Sequence, residues 1–416
     1  MSRIVMKFGG TSVADLERIR RVARLVAAEK DAGHEVAVVV SAMAGRTNEL
    51  VAWTDGAGAA APGLPSSDDE YDVVVASGEQ VSAGLLAMTL RNMGHHGRSW
   101  LAWQIPIVTD DSHGRARIDD VSPGKLEAAL AAGEIPVVAG FQGIDRDGRL
   151  ATLGRGAGDL SAVAVAAALR ADRCDIYTDV DGVYTTDPRI EERAQRLPRI
   201  SYEEMLEMAS LGARVLQGRS VELAMAHRVP LRVLSSFVEP GAAANIGTIV
   251  CDEEEIVEKR IVSGVAYSRD EAKISLFGLP DHPGVVSDIF GRLADANVNV
   301  DMIVQSHART EGSANMEFTV GKRDADRAVG IVNEVKDKIG FEGVGFDDNV
   351  AKVSVIGVGM RSNAGVAKTM FKALAEKGVN IQVISTSEIK ISVLIDAAYT
   401  ELAVRALHAA YGLDKA

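Results

Sequence analysis

The sequence predicts an α/β fold over residues 1–250, with a mostly parallel sheet covered by helices, followed by two copies of a smaller βαββα unit. Three observations predict this. Short β-branched runs alternate with Ala-rich, helix-like segments, which is typical of a parallel sheet with helices on its faces. The β-branched runs are nearly all apolar, as strands buried on both faces should be. Beyond the first part of the chain, one pattern of segments occurs twice.

The first part of the chain contains the following strand and helix candidates. The strands are Ile4–Phe8, Val36–Val40, Ile135–Gly140, Cys174–Thr178 and Val229–Leu234. The helices are Ala14–Lys30, Glu79–Met93, Pro123–Ala132 and Leu160–Ala171. Asp159 precedes the last helix in a position to cap it. The Gly-, Pro- and Ser-rich stretch Thr54–Asp69 predicts a surface loop.

A domain boundary is predicted at the acidic run Cys251–Lys259, where the sequence changes character. The first repeat opens with Lys273–Pro280 and the second with Lys352–Gly359, and each opening strand leads through a Gly-Val step into a helix. Two short strands and a second helix follow in each copy, which is a ferredoxin-like pattern. The strand pairs are Asp301–Ser306 with Ala314–Val320, and Gln382–Ile389 with Ile391–Asp396. The repeats are therefore placed at residues 261–346 and 350–416.

The two repeats differ at their ends. Phe341–Phe346 offers a fourth strand to the first repeat, whereas the second repeat ends at Ala416 with no strand left. An open sheet edge must be covered, and Ile261–Ser268 is the strand-like segment that remains unassigned. We therefore expect Ile261–Ser268 to complete the sheet of the second repeat, giving two βαββαβ units with an interlocked strand.

Composition disfavours several classes of protein. The net charge of −13 disfavours nucleic-acid and anionic-membrane partners, which bind basic surfaces. With 47% hydrophobic and 25% charged residues, the 416-residue chain has the composition of a soluble protein with two to three domains. Cys174 and Cys251 form no metal-ligand pattern, and neither a signal peptide nor an uninterrupted apolar run of membrane-spanning length is found. We therefore expect a cytoplasmic protein.

Two Gly-rich segments carry the chemical signal. Lys7 and the Gly-Gly pair that follows it come directly after the first strand, where glycines let backbone N–H groups approach phosphate oxygens and a lysine adds a cation. Leu153–Asp159 (LGRGAGD) again lies between a strand-like and a helix-like segment. Its Arg155 can bind a carboxylate through two N–H groups, and Asp159 can orient Lys7 or a metal. Each segment alone is equally compatible with an ordinary turn or helix start.

The chain resembles the amino-acid kinase family, and within it the aspartate kinases, over essentially its whole length. Six motifs occur in the family's order: KFGGTSV at Lys7, VVVSAMAGRTNEL at Val38, ASGEQVS at Ala76, LGRGAGD at Leu153, YTDVDGVYTTDPR at Tyr177 and LGARVLQGRSVE at Leu211. The C-terminal repeats resemble the ACT domains through which aspartate kinases bind lysine or threonine as feedback inhibitors. The resemblance implies phosphoryl transfer from Mg-ATP to the side-chain carboxylate of aspartate, the first step of lysine, threonine and methionine biosynthesis.

The resemblance also assigns residues to the two substrates. Lys7 and Asp159 are expected to be catalytic, Asp159 as an orienting residue. The ATP-binding positions implied are Lys7, Phe8, Gly9, Gly10, Thr178, Asp179, Tyr184, Arg189, Arg214 and Val215. The aspartate-binding positions implied are Ser41, Thr47, Glu79, Arg155 and Gly156. Mg²⁺ is expected to be bound mainly through ATP, so no protein ligand to a metal is assigned.

The residues by themselves leave other interpretations open. Glu79 could be an ordinary carboxylate in the first turn of a surface helix. Tyr177–Arg189 could be only a strand and a turn, because Asp-Gly and Asp-Pro pairs are common in turns.

Two departures from the family pattern affect the aspartate side. The family usually has Gly-Arg-Gly-Gly-Ser-Asp where this chain has Gly154–Asp159 with Ala157 and Gly158. Ala157 would be strained if its backbone needed a positive φ. Gly158 lacks a hydroxyl, and if the site is a weakened form of the family site, Gly158→Ser should raise its efficiency with aspartate. A kinase of another small carboxylic acid and a non-catalytic amino-acid sensor therefore stay open as alternatives.

Regulation is expected at turns of the two repeats. A ligand would lie between the Asp281–Gly284 turn and Asn380–Gln382, where repeats of two chains meet, which implies at least a homodimer. The positions expected to bind an effector are Asp281, Pro283, Gly284, Asn297, Asn299, Asp301, Gln305, Asn363, Asn380, Ile381, Gln382 and Ser387. Lysine and threonine are the expected effectors, and an internal start could yield a separate regulatory subunit.

Overall fold

The computed structural model describes residues 1–58, 66–212, 215–238, 247–256, 260–308, 310 and 312–415. These residues form two compact units. The first unit comprises Met1–Val183, Arg196–Ala209 and Arg214–Val257, and the second comprises Tyr184–Gln195, Ser210–Ala213 and Glu258–Ala416. The last change of unit, at Val257, falls within the expected boundary Cys251–Lys259. Tyr184–Gln195 differs from expectation, because it lies inside residues 1–250 but belongs to the second unit.

The first unit is built on an eight-stranded and a four-stranded sheet. Its strands are β1 Arg3–Phe8, β2 Glu35–Val40, β3 Gly97–Trp100, β4 Ile107–Thr109, β5 Ile118–Val121, β6 Ile135–Ala139, β7 Gln142–Ile144, β8 Leu150–Thr152, β9 Arg173–Thr178, β10 Arg199–Ser201, β11 Leu231–Ser235 and β12 Thr248–Cys251. Its helices are α1 Leu16–Asp31, α2 Arg46–Ala57, α3 Asp68–Val75, α4 Ser77–Asn92, α5 Gly124–Ala131, α6 Gly158–Ala168, α7 Tyr202–Ser210 and α8 Gly218–His227.

The large sheet has the order β10-β12-β11-β9-β1-β2-β6-β3. All of its pairs are parallel except β11 with β12. The central strands β1, β2 and β6 are buried almost throughout because helices cover both faces. The predicted mostly parallel sheet covered by helices is confirmed, and β1 lies at its centre with its carboxyl end at Lys7 and Phe8.

Two local predictions in the first unit are wrong. Helix α6 begins at Gly158 with Ala157 as N-cap, so Asp159 lies in the first turn and does not cap the helix. Thr54–Asp69 is not a loop throughout, because α2 continues to Ala57 and α3 starts at Asp68, while residues 59–65 lie outside the described ranges. Sequence reasoning also missed the four-stranded sheet, in the order β5-β4-β7-β8, because its strands have only three or four residues and show no periodicity.

The second unit folds around one six-stranded antiparallel sheet. Its elements are β13 Gly264–Pro280, α9 Val285–Asp295, β14 Val300–His307, β15 Ser313–Val320, α10 Ala325–Ile339, β16 Gly343–Ile356, α11 Val366–Glu376, β17 Val383–Thr386, β18 Lys390–Asp396 and α12 Thr400–Ala410. The sheet order is β14-β15-β13-β16-β18-β17. Both repeats therefore share a single sheet, and each repeat places its two helices over its own half.

The interlocked strand is confirmed. Residues Gly264–Ser268 are the first part of the long strand β13 and pair antiparallel with Lys352–Ile356 in the second repeat. The second part of β13 pairs with β15 of the first repeat. The strand begins at Gly264, three residues later than expected. Because β13 and β16 each cross from one repeat to the other, separating the repeats would break both strands.

One helical stretch of the described chain, Asp68–Asn92, has the length and composition of a membrane span. Half of its most apolar window is buried inside the protein, as happens in the core helix of a globular domain, so the stretch is weak evidence for a membrane.

Candidate active site

Lys7 lies at the carboxyl end of the central strand β1, in register with Val39 of β2 and Ile176 of β9. Its Nζ is 2.5 Å from Oδ1 of Asp159, in the first turn of α6. Both residues are largely shielded from solvent, with 9% of Lys7 and 7% of Asp159 exposed. The pair proposed from the sequence is thus in direct contact, and its low exposure strengthens the attraction.

The turn after Lys7 is tightly packed at Gly10 and places Gly9 against the Lys7 ammonium. A Cβ on Gly10 would lie 3.0 Å from the carbonyl oxygen of Ala42, and one on Gly9 would lie 3.4 Å from Lys7 Nζ. Ser12 is buried, and its Oγ has no hydrogen-bond partner among the described residues. A backbone cradle next to a lysine, with an unused hydroxyl, fits the binding of phosphate groups.

The loop before α6 takes its shape from two glycines. Gly154 and Gly156 have φ values of +91° and +80°, which L-residues with a Cβ rarely adopt. Ala157 has a φ of −72°, so the strain expected there is absent. The Asp159 carboxylate is turned towards Lys7, and its Oδ2 accepts a hydrogen bond from the Gln217 N–H at 3.4 Å.

Arg155 lies on the exposed side of this loop. Its Nη1 donates to Asn48 Oδ1 of α2 at 2.9 Å, and its carbonyl oxygen accepts from Gln217 Nε2 at 3.5 Å. Arg219 ties the start of this loop to a neighbouring segment, because its guanidinium donates to the carbonyl oxygens of Leu153 and Ala116 at 2.7 and 3.0 Å. Sequence reasoning missed Gln217, Arg219 and Asn48, although the first two lie in the quoted motif at Leu211.

Glu79 is 4% exposed, so its interpretation as a surface helix carboxylate is wrong. Its Oε1 accepts a hydrogen bond from the Ala42 N–H at 2.9 Å, and its Oε2 is buried without a partner in the described ranges. Burial raises the pKa of Glu79 to about 7, against the opposing effect of the Ala42 N–H. A cationic group placed at Oε2 would favour the ionised form.

Ser41 and Gly158 meet beside Lys7. The Ser41 N–H donates to the Phe8 carbonyl oxygen at 3.1 Å, which fixes Ser41 just beyond the end of β2. A Cβ on Gly158 would lie 2.7 Å from Ser41 Oγ and 3.2 Å from Lys7 Cε. Thr47, in the first turns of α2, is half-buried. Of the expected aspartate-binding residues, Ser41 lies beside the Lys7–Asp159 pair, because Gly158 precedes Asp159 in the chain and lies against both Ser41 and Lys7.

The other expected ATP positions divide between the two units. The Phe8 side chain is buried and stacks on Tyr177 with ring centroids 4.6 Å apart, so Phe8 can offer a ligand only its backbone. Thr178 and Asp179 follow the carboxyl end of β9 in the first unit, and their side chains are hydrogen-bonded to each other at 3.2 Å. Tyr184 and Arg189 belong to the second unit, where Arg189 is paired with Asp187. Val215 lies in a half-buried turn, and Arg214 lies outside the described residues.

The described part of the chain contains no group of three or more His, Cys, Asp or Glu side chains arranged to hold a metal ion. The glycine cradle at Gly9 and Gly10 and the unpaired Ser12 hydroxyl fit the triphosphate of a nucleotide, which can itself bring Mg²⁺. The sequence therefore offers sites for the phosphates, and the metal would be bound chiefly through them.

The expected effector residues do not form one cluster within a chain. Gln382, which directly precedes the edge strand β17, accepts through Oε1 from Lys273 Nζ of β13 at 2.6 Å. Asp281 follows the end of β13, so it lies roughly 20 Å or more along that strand from Lys273 at 3.3 Å per residue. The predicted site between Asp281 and Gln382 is therefore not assembled by one chain.

The remaining effector candidates are distributed over several turns and strands. Asp301 forms an ion pair with Lys352, which also pairs with Glu271 at 2.8 Å. Gly284 and Asn297 have positive φ values of +105° and +56° at opposite ends of α9. The others lie in turns or on strand faces: Pro283 and Asn299 beside the ends of α9, Gln305 in β14, Asn363 before α11, Asn380 and Ile381 before β17, and Ser387 before β18.

Family models match most of the chain. The model described as the amino acid kinase family matches residues 2–235, and two models described as ACT domains match residues 274–339 and 353–411.

Relatives match over nearly the whole chain. The aspartate kinase of Pseudomonas fluorescens is 51% identical over 415 residues, covering 100% of this chain and 98% of that protein. The aspartokinase of Mycobacterium tuberculosis is 45% identical over 415 residues, covering 99% and 97%. Among solved structures, Escherichia coli aspartokinase III in complex with aspartate and ADP has a TM-score of 0.78 at 29% identity, covering 98% of this chain and 99% of that one. Its complex with lysine and aspartate has a TM-score of 0.76 at 29% identity, covering 98% of both chains.

Proposed function

Because the chain belongs to the amino acid kinase family, and within it to the aspartate kinases, we propose that its first unit transfers the γ-phosphoryl group of ATP to the side-chain carboxylate of aspartate. The product is 4-phospho-L-aspartate, which opens the route to lysine, threonine and methionine. The contact of Lys7 Nζ with Asp159 at 2.5 Å, directly beside the Gly9–Gly10 cradle, carries this proposal. A shielded cation held next to a phosphate cradle suits the negative charge of phosphoryl transfer.

The acceptor carboxylate is already a nucleophile, so the reaction needs no general base. One carboxylate oxygen attacks the γ-phosphorus, the bond to the bridging oxygen of ADP breaks, and ADP leaves. Lys7 neutralises charge on the transferred group, and Asp159 holds the Lys7 ammonium in place. Bound Mg²⁺ would supply further charge neutralisation on the phosphates.

Two residues are suited to the amino-acid end of aspartate. The unpaired Oε2 of Glu79 can accept from the α-ammonium group, which would draw the carboxyl into its ionised form. Arg155 is exposed on the glycine loop, and its guanidinium can bind the α-carboxylate through two N–H groups once it leaves Asn48. Ser41 and Thr47 would add neutral hydrogen bonds.

Regulation belongs to the second unit. We propose that lysine or threonine binds where repeats of two chains meet, since one chain does not bring Asp281 and Gln382 together. Such a site requires at least a homodimer, and a separately started regulatory subunit would be compatible with it. A cytoplasmic location is supported by two free, buried cysteines.

A coupled ADP-release assay tests the function. The assay compares aspartate with glutamate, other small amino acids and no acceptor, each with and without lysine and threonine. Aspartate-dependent ADP release supports the proposal. Release with another acid instead would show a kinase of a different carboxylate, and binding of lysine or threonine without any ADP release would show a sensor.

A further inference from the structure

Asp72 is a buried carboxylate to which the proposed reaction gives no role. It lies in α3 and is fully shielded from solvent. Thr152 donates to it from its N–H at 2.9 Å and from its hydroxyl, Gly114 from its N–H at 3.1 Å, and His113 from Nδ1 at 2.8 Å. These donors use about the full acceptor capacity of a carboxylate, which has roughly four lone-pair sites. Such a buried and satisfied network fixes the segments that it joins.

The imidazole of His113 lies between two carboxylates. Its Nδ1 carries a proton, because Asp72 offers only acceptor oxygens. Its Nε2 lies 3.6 Å from Oδ2 of Asp145, which is beyond hydrogen-bond distance. Asp145 instead closes the turn between β7 and β8, where its Oδ1 accepts from the N–H groups of Asp147 and Arg149 at 3.0 and 2.8 Å. The Nδ1 donor of His113 therefore serves Asp72.

Asp72 joins the two segments that carry the expected binding groups for the amino-acid end of aspartate. Helix α3 passes through Ala76 directly into α4, whose first turn contains Glu79. Thr152 is the last residue of β8, and the loop that contains Arg155 starts directly after it. A carboxylate that holds α3 against the end of β8 therefore sets where Arg155 lies relative to Glu79.

Other residues of α3 extend this contact. Burial raises the pKa of the Tyr71 hydroxyl, and the nearby Arg155 guanidinium opposes that rise, so α3 lies close to this guanidinium. Arg149 Nη2 donates to Asp69 and Glu70 of α3 at 2.8 Å each. Both of these pairs are exposed, and exposed ion pairs contribute little. The buried carboxylate of Asp72 is therefore the stronger of the two connections.

We propose that Asp72, oriented by His113, is a positioning residue for the acceptor: it holds Glu79 and Arg155 where they bind the α-ammonium and α-carboxylate groups of aspartate. This inference rests on the proposed function and extends it to side chains that touch neither substrate. Lys7 is fixed instead by the pairing of β1 within the large sheet. Weakening the contacts of Asp72 should therefore impair the binding of aspartate and leave the binding of ATP unchanged.

Asp72→Asn tests the positioning role. The amide keeps the shape of the side chain but replaces an acceptor oxygen with an NH₂ group, which cannot accept from an N–H. The KM for aspartate should rise about 10- to 100-fold, while the KM for ATP should stay within about twofold of wild type. Asp69→Asn is the matched control, because it makes the same change at an exposed position of α3 where Arg149 keeps Glu70. The control should leave both KM values unchanged.

Three variants of His113 test its role in orienting Asp72. His113→Ala should raise the KM for aspartate about tenfold, because one donor to the buried carboxylate is lost. The side-chain amide of asparagine places an N–H donor close to the position of Nδ1, whereas that of glutamine places it close to the position of Nε2. His113→Asn should therefore restore most of the wild-type KM, and His113→Gln should resemble His113→Ala.

The possible outcomes are distinct. A purely stabilising contact would lower the melting temperature of the variants and leave the KM for aspartate unchanged, which would overturn the inference while wild-type turnover of aspartate still supports the proposed function. An equal rise in the KM for ATP, or equal recovery by His113→Asn and His113→Gln, would also overturn it. If Asp72→Asn fails to fold, the His113 variants decide. A wild-type chain that neither turns over nor binds aspartate by calorimetry overturns the proposed function and this inference together.

Discussion

The two loops that meet at the candidate active site are held in place differently. The loop after β1 is fixed by the sheet, because Lys7 is in parallel register with a strand on each side and its glycines pack against neighbouring backbone. The loop before α6 is held by side chains from distant parts of the chain, including those of Gln217 and Arg219, which donate to the carbonyl oxygens of Arg155 and Leu153. The position of the Lys7 cation thus depends on backbone pairing within the sheet, whereas the position of the loop that carries Arg155 depends on side-chain hydrogen bonds.

The strongest test of the sheet-anchored loop is Lys7→Ala. Removing the cation next to the transferred phosphoryl group should lower kcat by about 10³-fold or more. The matched control is Lys125→Ala, an exposed lysine on α5. Steady-state kinetics measures both, and circular dichroism should show intact folding. Residual activity above about a tenth of wild type would contradict the role of Lys7.

Asp159→Asn tests the link between the two loops. The amide keeps the size of the side chain but removes the charge that holds Lys7, so kcat should fall about 10²-fold. The KM for ATP should change less than kcat. If Asp159 instead only shapes the start of α6, the variant should lose stability while keeping kcat, and a thermal melt beside the kinetics separates these results.

Arg155→Ala tests the loop held by side chains. Loss of a guanidinium that binds a carboxylate should raise the KM for aspartate about 10- to 100-fold. Arg155→Lys should recover only part of this, because an ammonium cannot form two parallel hydrogen bonds. Equal effects on the KM for ATP and for aspartate would show that Arg155 does not distinguish the substrates.

Glu79→Gln is expected to have a smaller effect at low pH than at high pH. Because the pKa of Glu79 is raised from 4.5 to about 7, the wild-type KM for aspartate should fall as pH rises from 6 to 8, as the ammonium acceptor becomes ionised. In the variant this dependence should be lost, with a KM about tenfold above wild type at pH 8. A pH-independent wild-type KM would contradict this role.

The stability of the folded protein should also depend on the ionisation of Glu79, but a rise in pH that improves aspartate binding should lower the free energy of unfolding. A carboxyl whose folded pKa is raised stabilises the protein fully below its unfolded pKa of 4.5 and loses that contribution as pH rises through about 7. The loss is on the order of 3 kcal/mol. Denaturant unfolding should therefore show Glu79→Gln gaining stability relative to wild type between pH 5 and pH 8.

The smallest effect is expected for Ala157→Gly. Because Ala157 has a φ of −72°, no strain is relieved by glycine, and kcat/KM for aspartate should stay within about twofold. The cost should be about 0.5–1 kcal/mol of stability from added backbone freedom, measured by denaturant unfolding. A large gain in activity would show that Ala157 does distort the loop.

The sequence was informative where structure follows from local pattern. Three features could be predicted: strand β1, the glycine turn after Lys7 and the strand shared between the repeats. A fully apolar run predicts a buried parallel strand, and a repeat that lacks a strand must have its sheet edge covered by another segment. For Asp159 the residues alone left both capping of α6 and contact with Lys7 open, since both require the same residue type, and the structure shows the contact. The burial of Glu79 and the packing of Tyr184–Gln195 within the second unit depend on tertiary contacts that no local pattern records.

Trapping the product with hydroxylamine tests the central claim most directly. An acyl phosphate reacts with hydroxylamine to give a hydroxamate, which can be identified by mass spectrometry, so the measurement reports which carboxylate has been phosphorylated. With wild-type protein, Mg-ATP and a panel of amino acids, we predict the β-hydroxamate of aspartate, and none with Lys7→Ala. No aspartate hydroxamate from the wild type, or equal amounts from both proteins, would contradict the account.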